Sequence, residues 1–94
     1  MRTKLISKNV TINGRRTSLR LEQASWEAMN DICQCERLTL HELCSLIETR
    51  RQGASRTLAV RAFIITYFRT VVAEHGALQK GTASMLLPEL ATRR

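Results

Sequence analysis

No apolar run in this chain is long enough to span a bilayer: the most hydrophobic stretch, Leu58 to Ala73, is broken by Arg61, Thr66, Arg69 and Thr70. Histidine is scarce, with two residues, and the four glycines form no phosphate-cradling loop. No pair of carboxylates stands at a spacing suited to acid–base work. The converging nucleophiles, acids and bases of an active site are missing, so neither catalysis nor a cofactor is expected. The three cysteines, an odd number with no secretory signal ahead of them, do not make a disulfide framework. A reducing cytoplasm is the simpler expectation. Metal binding is not expected either. There is no CxxC knuckle, and on a helix Cys33 and Cys35 would point about 200° apart. His41 and Cys44 share a face at i, i+3, but Cys33 and Cys44 fall in apolar stripes and read as small core residues.

Acid is also in short supply. Fifteen Lys and Arg face eight Asp and Glu, a net charge of +7, and the pI lies near 10.4. Such a balance favours a polyanionic partner, nucleic acid ahead of membrane. The charge is uneven: residues 1–22 hold six bases and one acid, residues 23–52 three and five, and residues 53–94 six and two. The N-terminal segment is the electrostatic outlier. Its basic start, Met1 to Lys4, reads as an unstructured arm. At 94 residues the chain is one small domain with a limited core, so a large apolar helix in it would need a partner.

From Ile6 to Leu21 the pattern is strand, turn, strand, with Asn13-Gly14 supplying the positive φ angles of a two-residue hairpin. That register sets Ile12 opposite Arg15, Thr11 opposite Arg16, Val10 opposite Thr17, Asn9 opposite Ser18 and Ser7 opposite Arg20. One face then carries Ser7, Asn9, Thr11, Arg16, Ser18 and Arg20. The other carries Ile6, Val10, Ile12, Leu19 and Leu21, with Lys8, Arg15 and Thr17 as exceptions. Such sorting supports a sheet with one wet face.

Beyond Glu22 the period becomes helical. Trp26, Met29, Ile32 and Cys33 form a first apolar stripe, with Ser25 as a candidate N-cap and an end near Glu36 to Leu38. Thr39-Leu40-His41-Glu42 is a capping box opening a second helix with the stripe Leu40, Leu43, Cys44 and Ile47. A third helix runs from a Ser55 cap to about His75, with Gly76 in the C-terminal cap position. It is apolar nearly all round, which predicts burial on most sides and hence a subunit interface. The aromatic residues here, like Trp26, are read as core rather than as a ligand box. Residues 1–76 form the domain. Residues 77–94, with the short apolar run Met85-Leu86-Leu87, form a weakly structured or partner-binding tail.

A short basic strand, an amphipathic helix, a tight turn and a capped second helix follow one another in an order that resembles the ribbon-helix-helix DNA-binding family. The closer likeness is to its small bacterial members with an extra N-terminal strand and an added C-terminal helix. The residues carrying the resemblance are Val10-Thr11-Ile12-Asn13-Gly14, Arg16-Thr17-Ser18-Leu19-Arg20-Leu21-Glu22, Trp26, Ile32, Leu40, Leu43, Ile47 and Ala59-Val60-Arg61-Ala62-Phe63. They span roughly residues 6–68.

The resemblance implies a mainly α fold with a short N-terminal β-hairpin. It also implies a homodimer in which two strands pair about a two-fold axis and enter the major groove of duplex DNA. Arg16, Ser18 and Arg20 match the groove-facing positions. Arginine can fork onto guanine O6 and N7, and serine can serve several base edges. Thr39 and Leu40, at the start of the second helix, match the family's phosphate grip, and Lys8 and Arg15 are further phosphate candidates. Thr17, Leu19, Leu21, Leu43, Ile47, Phe63 and Tyr67 are assigned to the dimer interface. The function implied is sequence-specific DNA binding, as a transcriptional repressor.

Two features depart from the pattern. The turn before the second helix holds Arg37 where the family usually has glycine, a strained choice if φ is positive. Two paired hairpins would also make a sheet of four strands, spaced about 4.8 Å apart, against a groove about 12 Å wide that admits two. The N-terminal strands must therefore flare away, contact the flanking backbone, or cover the ribbon. These departures keep open an alternative, an antitoxin-like or adaptor dimer whose tail docks on a second protein.

Overall fold

The computed structural model describes residues 4–76, 78 and 80–92; the first three residues of the basic arm lie outside them. Strand β1 (Leu5–Ile12) turns through Asn13 and Gly14 into strand β2 (Arg15–Glu22), followed by helices α1 (Gln23–Glu36), α2 (Leu40–Glu48) and α3 (Arg56–His75). A five-residue helix, α4 (Thr82–Leu86), and a 3₁₀ turn over Pro88–Thr92 complete the described chain. Asn13 and Gly14 have φ of 51° and 80°, as a two-residue hairpin turn with both central residues left-handed requires. The strands pair antiparallel from Leu5↔Glu22 to Ile12↔Arg15 without a bulge, in the register expected from the sequence.

The apolar face of this sheet is the floor of the core. Val10, Ile12, Leu19 and Leu21 are buried against Trp26, Met29, Ile32 and Cys33 of α1, Leu43, Cys44 and Ile47 of α2, and Val60 of α3. Full burial of residues such as Leu21, Met29 and Ile32 contributes about 1.5–3 kcal/mol each. Lys8 stands on this face without breaking it, because its ammonium lies 5.0 Å from the centre of the Trp26 ring. The Trp26 indole N–H donates to the Ile6 carbonyl at 2.9 Å, fixing the ring under the start of β1.

Helix α1 begins earlier than a Ser25 cap would place it. Glu22 occupies the N-cap position with extended backbone and no side-chain cap, and the Ser25 hydroxyl donates to its carboxylate at 3.1 Å. A non-local contact stands at this point: Arg61 of α3 grips both Glu22 carboxylate oxygens where strand becomes helix. Its own backbone amide first, and then the Arg61 guanidinium, hold the Glu22 carboxyl below the ordinary carboxylate range.

At the other end of α1 the chain turns through Arg37 in the left-handed region, φ 56° and ψ 47°, and the amides of Arg37 and Leu38 return to the Cys33 carbonyl. Thr39 then caps α2 with both halves of a capping box. Glu48 at the end of α2 takes ion pairs from Arg51 and Arg56, at 3.0 Å each, closing the α2–α3 connection. The Ser55 hydroxyl accepts from the Leu58 amide and starts α3.

Candidate nucleic-acid interface

The hairpin's two long edges are treated differently. In a two-residue hairpin the residues flanking the turn exchange hydrogen bonds, so the amides of Thr11 and Asn13 point away from β2. Helix α2 meets them there: Thr11 N–H donates to His41 Nδ1 at 2.9 Å and Asn13 N–H to Ser45 Oγ at 3.1 Å. His41 and Ser45 lie one turn apart on α2, and together they close the outer edge of β1 near the turn. By the same alternation the amides of Arg16, Ser18 and Arg20 point outward from β2. The sheet has only two strands, and no hydrogen bond serves that edge among the described residues. A bare strand edge is a template for another strand.

The side chains of Arg16, Ser18 and Arg20 share the exposed face of the sheet with Ser7, Asn9 and Thr11. Between Ser7 and Arg20 no apolar residue interrupts this face; Leu5, 38% exposed, lies at its far end opposite Glu22. The Ser18 hydroxyl lies 2.8 Å from that of Ser7, so the two serines hold one another across the strands. Arg16 and Arg20 make no ion pair among the described residues. Arg51, Arg56 and Arg61, by contrast, spend their charge on Glu48 and Glu22. Much of the positive charge of the helical half is thus consumed internally. That of β2 is displayed.

The remaining expected site residues are scattered. Arg15 is exposed beside the turn, and the Lys8 ammonium lies over Trp26, on the opposite face from Arg16 and Arg20. At the start of α2 the Thr39 amide donates to the Glu42 carboxylate at 2.8 Å, and the Thr39 hydroxyl accepts from the Glu42 amide at 3.1 Å. Hydrogen bonds from the Thr39 backbone and side chain hold the Glu42 carboxyl below its usual range. A phosphate at this helix end would meet that carboxylate, with the Leu40 and His41 amides left as donors.

Of the residues assigned to subunit contact, Leu19, Leu21, Leu43 and Ile47 are buried in the chain's own core. Thr17, Phe63 and Tyr67 are half-buried. The Tyr67 hydroxyl donates to Glu36 at 2.6 Å. The Cys35 side chain first, and then Glu36, hold the phenol protonated well above its usual range. Helix α3 is not buried on most sides within one chain. Only Val60 is buried, whereas Leu58 and Ile65 are 58% and 60% exposed, because the helix meets the core along a single line.

The described residues contain no group of His, Cys, Asp and Glu able to hold a metal. Burial pushes the Cys44 thiol up to about 11, which makes it unreactive at neutral pH.

Residues 5–68 match the ribbon-helix-helix domain. The chain belongs to the ribbon-helix-helix family. Members of this family bind DNA as dimers and are regulatory domains rather than enzymes. Comparison with curated proteins and with solved structures gave no match. The match ends within α3, so the rest of α3 and the tail lie beyond the ribbon-helix-helix region.

Sequence reasoning placed Glu42 in the capping box but gave His41 and Ser45 no part in covering the hairpin edge. Both have a local signal, since they are polar at i, i+4 on one side of α2.

Proposed function

We propose that this ribbon-helix-helix chain is a homodimeric, sequence-specific DNA-binding protein of the cytoplasm that acts as a transcriptional repressor. The observation that carries the reading is the pairing of a bare β2 edge with an exposed Arg16, Ser18, Arg20 face. The edge suits a second copy of the same strand, and the face suits the base edges of a major groove. The exposed apolar side of α3 supports the dimer, since Leu58, Ile65, Phe68 and Val71 are apolar surface that a partner chain would remove from water. With Leu19, Leu21, Leu43 and Ile47 already inside the chain, the interface is drawn to the β2 edge, Thr17, and α3 around Phe63 and Tyr67.

Fluorescence anisotropy with duplexes enriched for binding from a random pool tests this reading. An Arg16→Ala, Arg20→Ala double variant should lose enriched-site binding while keeping its fold and dimer. Unchanged binding by that variant would remove the basis of the proposal.

A second reading is favoured by the tail, where Leu78, Met85 and Leu86 are 88%, 83% and 76% exposed. On this reading residues 77–94 carry a docking segment for another protein, and their deletion abolishes co-purification of that protein with DNA binding intact. Loss of DNA binding on the same deletion would instead give the tail a part in the dimer.

A further inference from the structure

Strand β1 does not flare from β2. It remains paired along all eight residues, and its outer edge near the turn is held by His41 and Ser45 of α2. Cross-strand partners point to the same side of a sheet, so Ser7, Asn9 and Thr11 stand on the face of Arg20, Ser18 and Arg16. If the bare edge of β2 pairs with its two-fold mate, the strand order is β1-β2-β2-β1. The outer strands are then about 14 Å apart at about 4.8 Å per spacing. A major groove about 12 Å wide cannot take that sheet to its floor.

We propose that β1 rests on the two phosphodiester rims of the groove, with Asn9 as the central contact and Ser7 and Thr11 beside it. This inference rests on the DNA-binding reading of the β2 face. The side chains fit the place. All three are short, uncharged and exposed, and can hydrogen-bond to phosphate oxygens without reaching base edges. Seating at the rims keeps the ribbon shallow, which divides the labour on β2. Arg16 and Arg20 are long enough to reach bases from a raised sheet. Ser18 is short, so on a raised sheet it stays above the bases. Sequence readout then falls to the two arginines, whose natural partner is guanine.

The test is Asn9→Lys in the full chain, with binding to a random-sequence 30-base-pair duplex and to an enriched duplex measured across a range of salt. A lysine on each rim adds a counterion-releasing contact, so log K against log salt should steepen by about 0.9 per subunit, about 1.8 per dimer. The ratio of enriched to random affinity should stay constant. Asn30→Lys, on the exposed side of α1 away from the polar face, should leave the slope unchanged. An unchanged slope for Asn9→Lys, or equal steepening by both variants, overturns the rim placement. A shift in the preferred sequence overturns it too, because it would put β1 at the bases. Trp26 fluorescence and sedimentation confirm fold and dimer. Binding retained by the Arg16→Ala, Arg20→Ala variant would instead refute the parent reading, so the two failures are distinguishable.

Discussion

Arg37→Gly should stabilise the protein. Arg37 sits at φ 56° and ψ 47°, and its exposed side chain makes no hydrogen bond or ion pair among the described residues. An L-residue in the left-handed conformation costs about 1–2 kcal/mol, from the approach of Cβ to the following carbonyl. Glycine removes that cost but loses about 0.5–1 kcal/mol more backbone entropy on folding. The difference leaves a gain of about 0.5–1 kcal/mol. For a domain of this size it corresponds to a rise in Tm of about 2–8 °C. The assay is thermal unfolding by circular dichroism at matched concentrations, since the Tm of a dimer depends on protomer concentration. Arg37→Ala is the control: it removes the guanidinium and keeps Cβ, so its Tm should stay near that of the parent. A fall in Tm for Arg37→Gly, or an equal rise for both variants, would refute the strain argument.

Acid should unfold the protein partly through Glu22, whose carboxyl is held below its ordinary value of 4.5 in the folded state. A depressed folded pKa contributes stability above that value and loses it as pH falls through the folded pKa. Glu22→Gln should therefore flatten the stability curve below about pH 4.5, and an unchanged acid limb in denaturant titrations would contradict the lowered Glu22 carboxyl. Removing both edge covers, with His41→Ala and Ser45→Ala, strips the Thr11 and Asn13 amides of their acceptors. Each loss should cost about 0.5–1.5 kcal/mol in urea unfolding, and added light scattering would report the newly open β1 edge. Ile65→Glu should weaken the dimer at least about tenfold by sedimentation, because burying an isoleucine is worth about 1.5–3 kcal/mol per subunit. Unaltered association would place the interface elsewhere. Glu42→Gln keeps the capping box and removes a carboxylate from the start of α2. DNA affinity at low salt should rise if phosphate approaches there.

The hairpin could be read from sequence because two local rules agreed: Asn13-Gly14 specifies the turn, and period-2 sorting fixes the register. The N-terminal caps of α2 and α3 were legible for the same reason, each depending on residues three apart, whereas an α2 exit at Gln52-Gly53-Ala54 was expected too late, since the helix ends at Glu48. The start of α1 was not legible. A search for a Ser, Thr, Asp or Asn cap selects Ser25, whereas the helix begins where Arg61, 39 residues away, pairs with Glu22. Lys8 looked like an exception to the apolar face. It resolves once Trp26 lies beneath it, a contact between elements that no strand pattern reveals. The polar face from Ser7 to Arg20 could be read from alternation, but the Ser7–Ser18 contact is diagonal, since the register sets Ser7 opposite Arg20 and Asn9 opposite Ser18. Edge coverage could not, because it depends on which flank of the sheet α2 takes.

DNA binding through β2 stands on the pairing of its bare edge. Amide hydrogen exchange at Arg16, Ser18 and Arg20 measures that pairing directly, since these amides have no acceptor among the described residues. Two-fold strand pairing predicts slow exchange at the paired positions at dimer-forming concentrations, lost together when Ile65→Glu separates the subunits. Exchange at the rate of free amides at all three positions in the intact protein would contradict it.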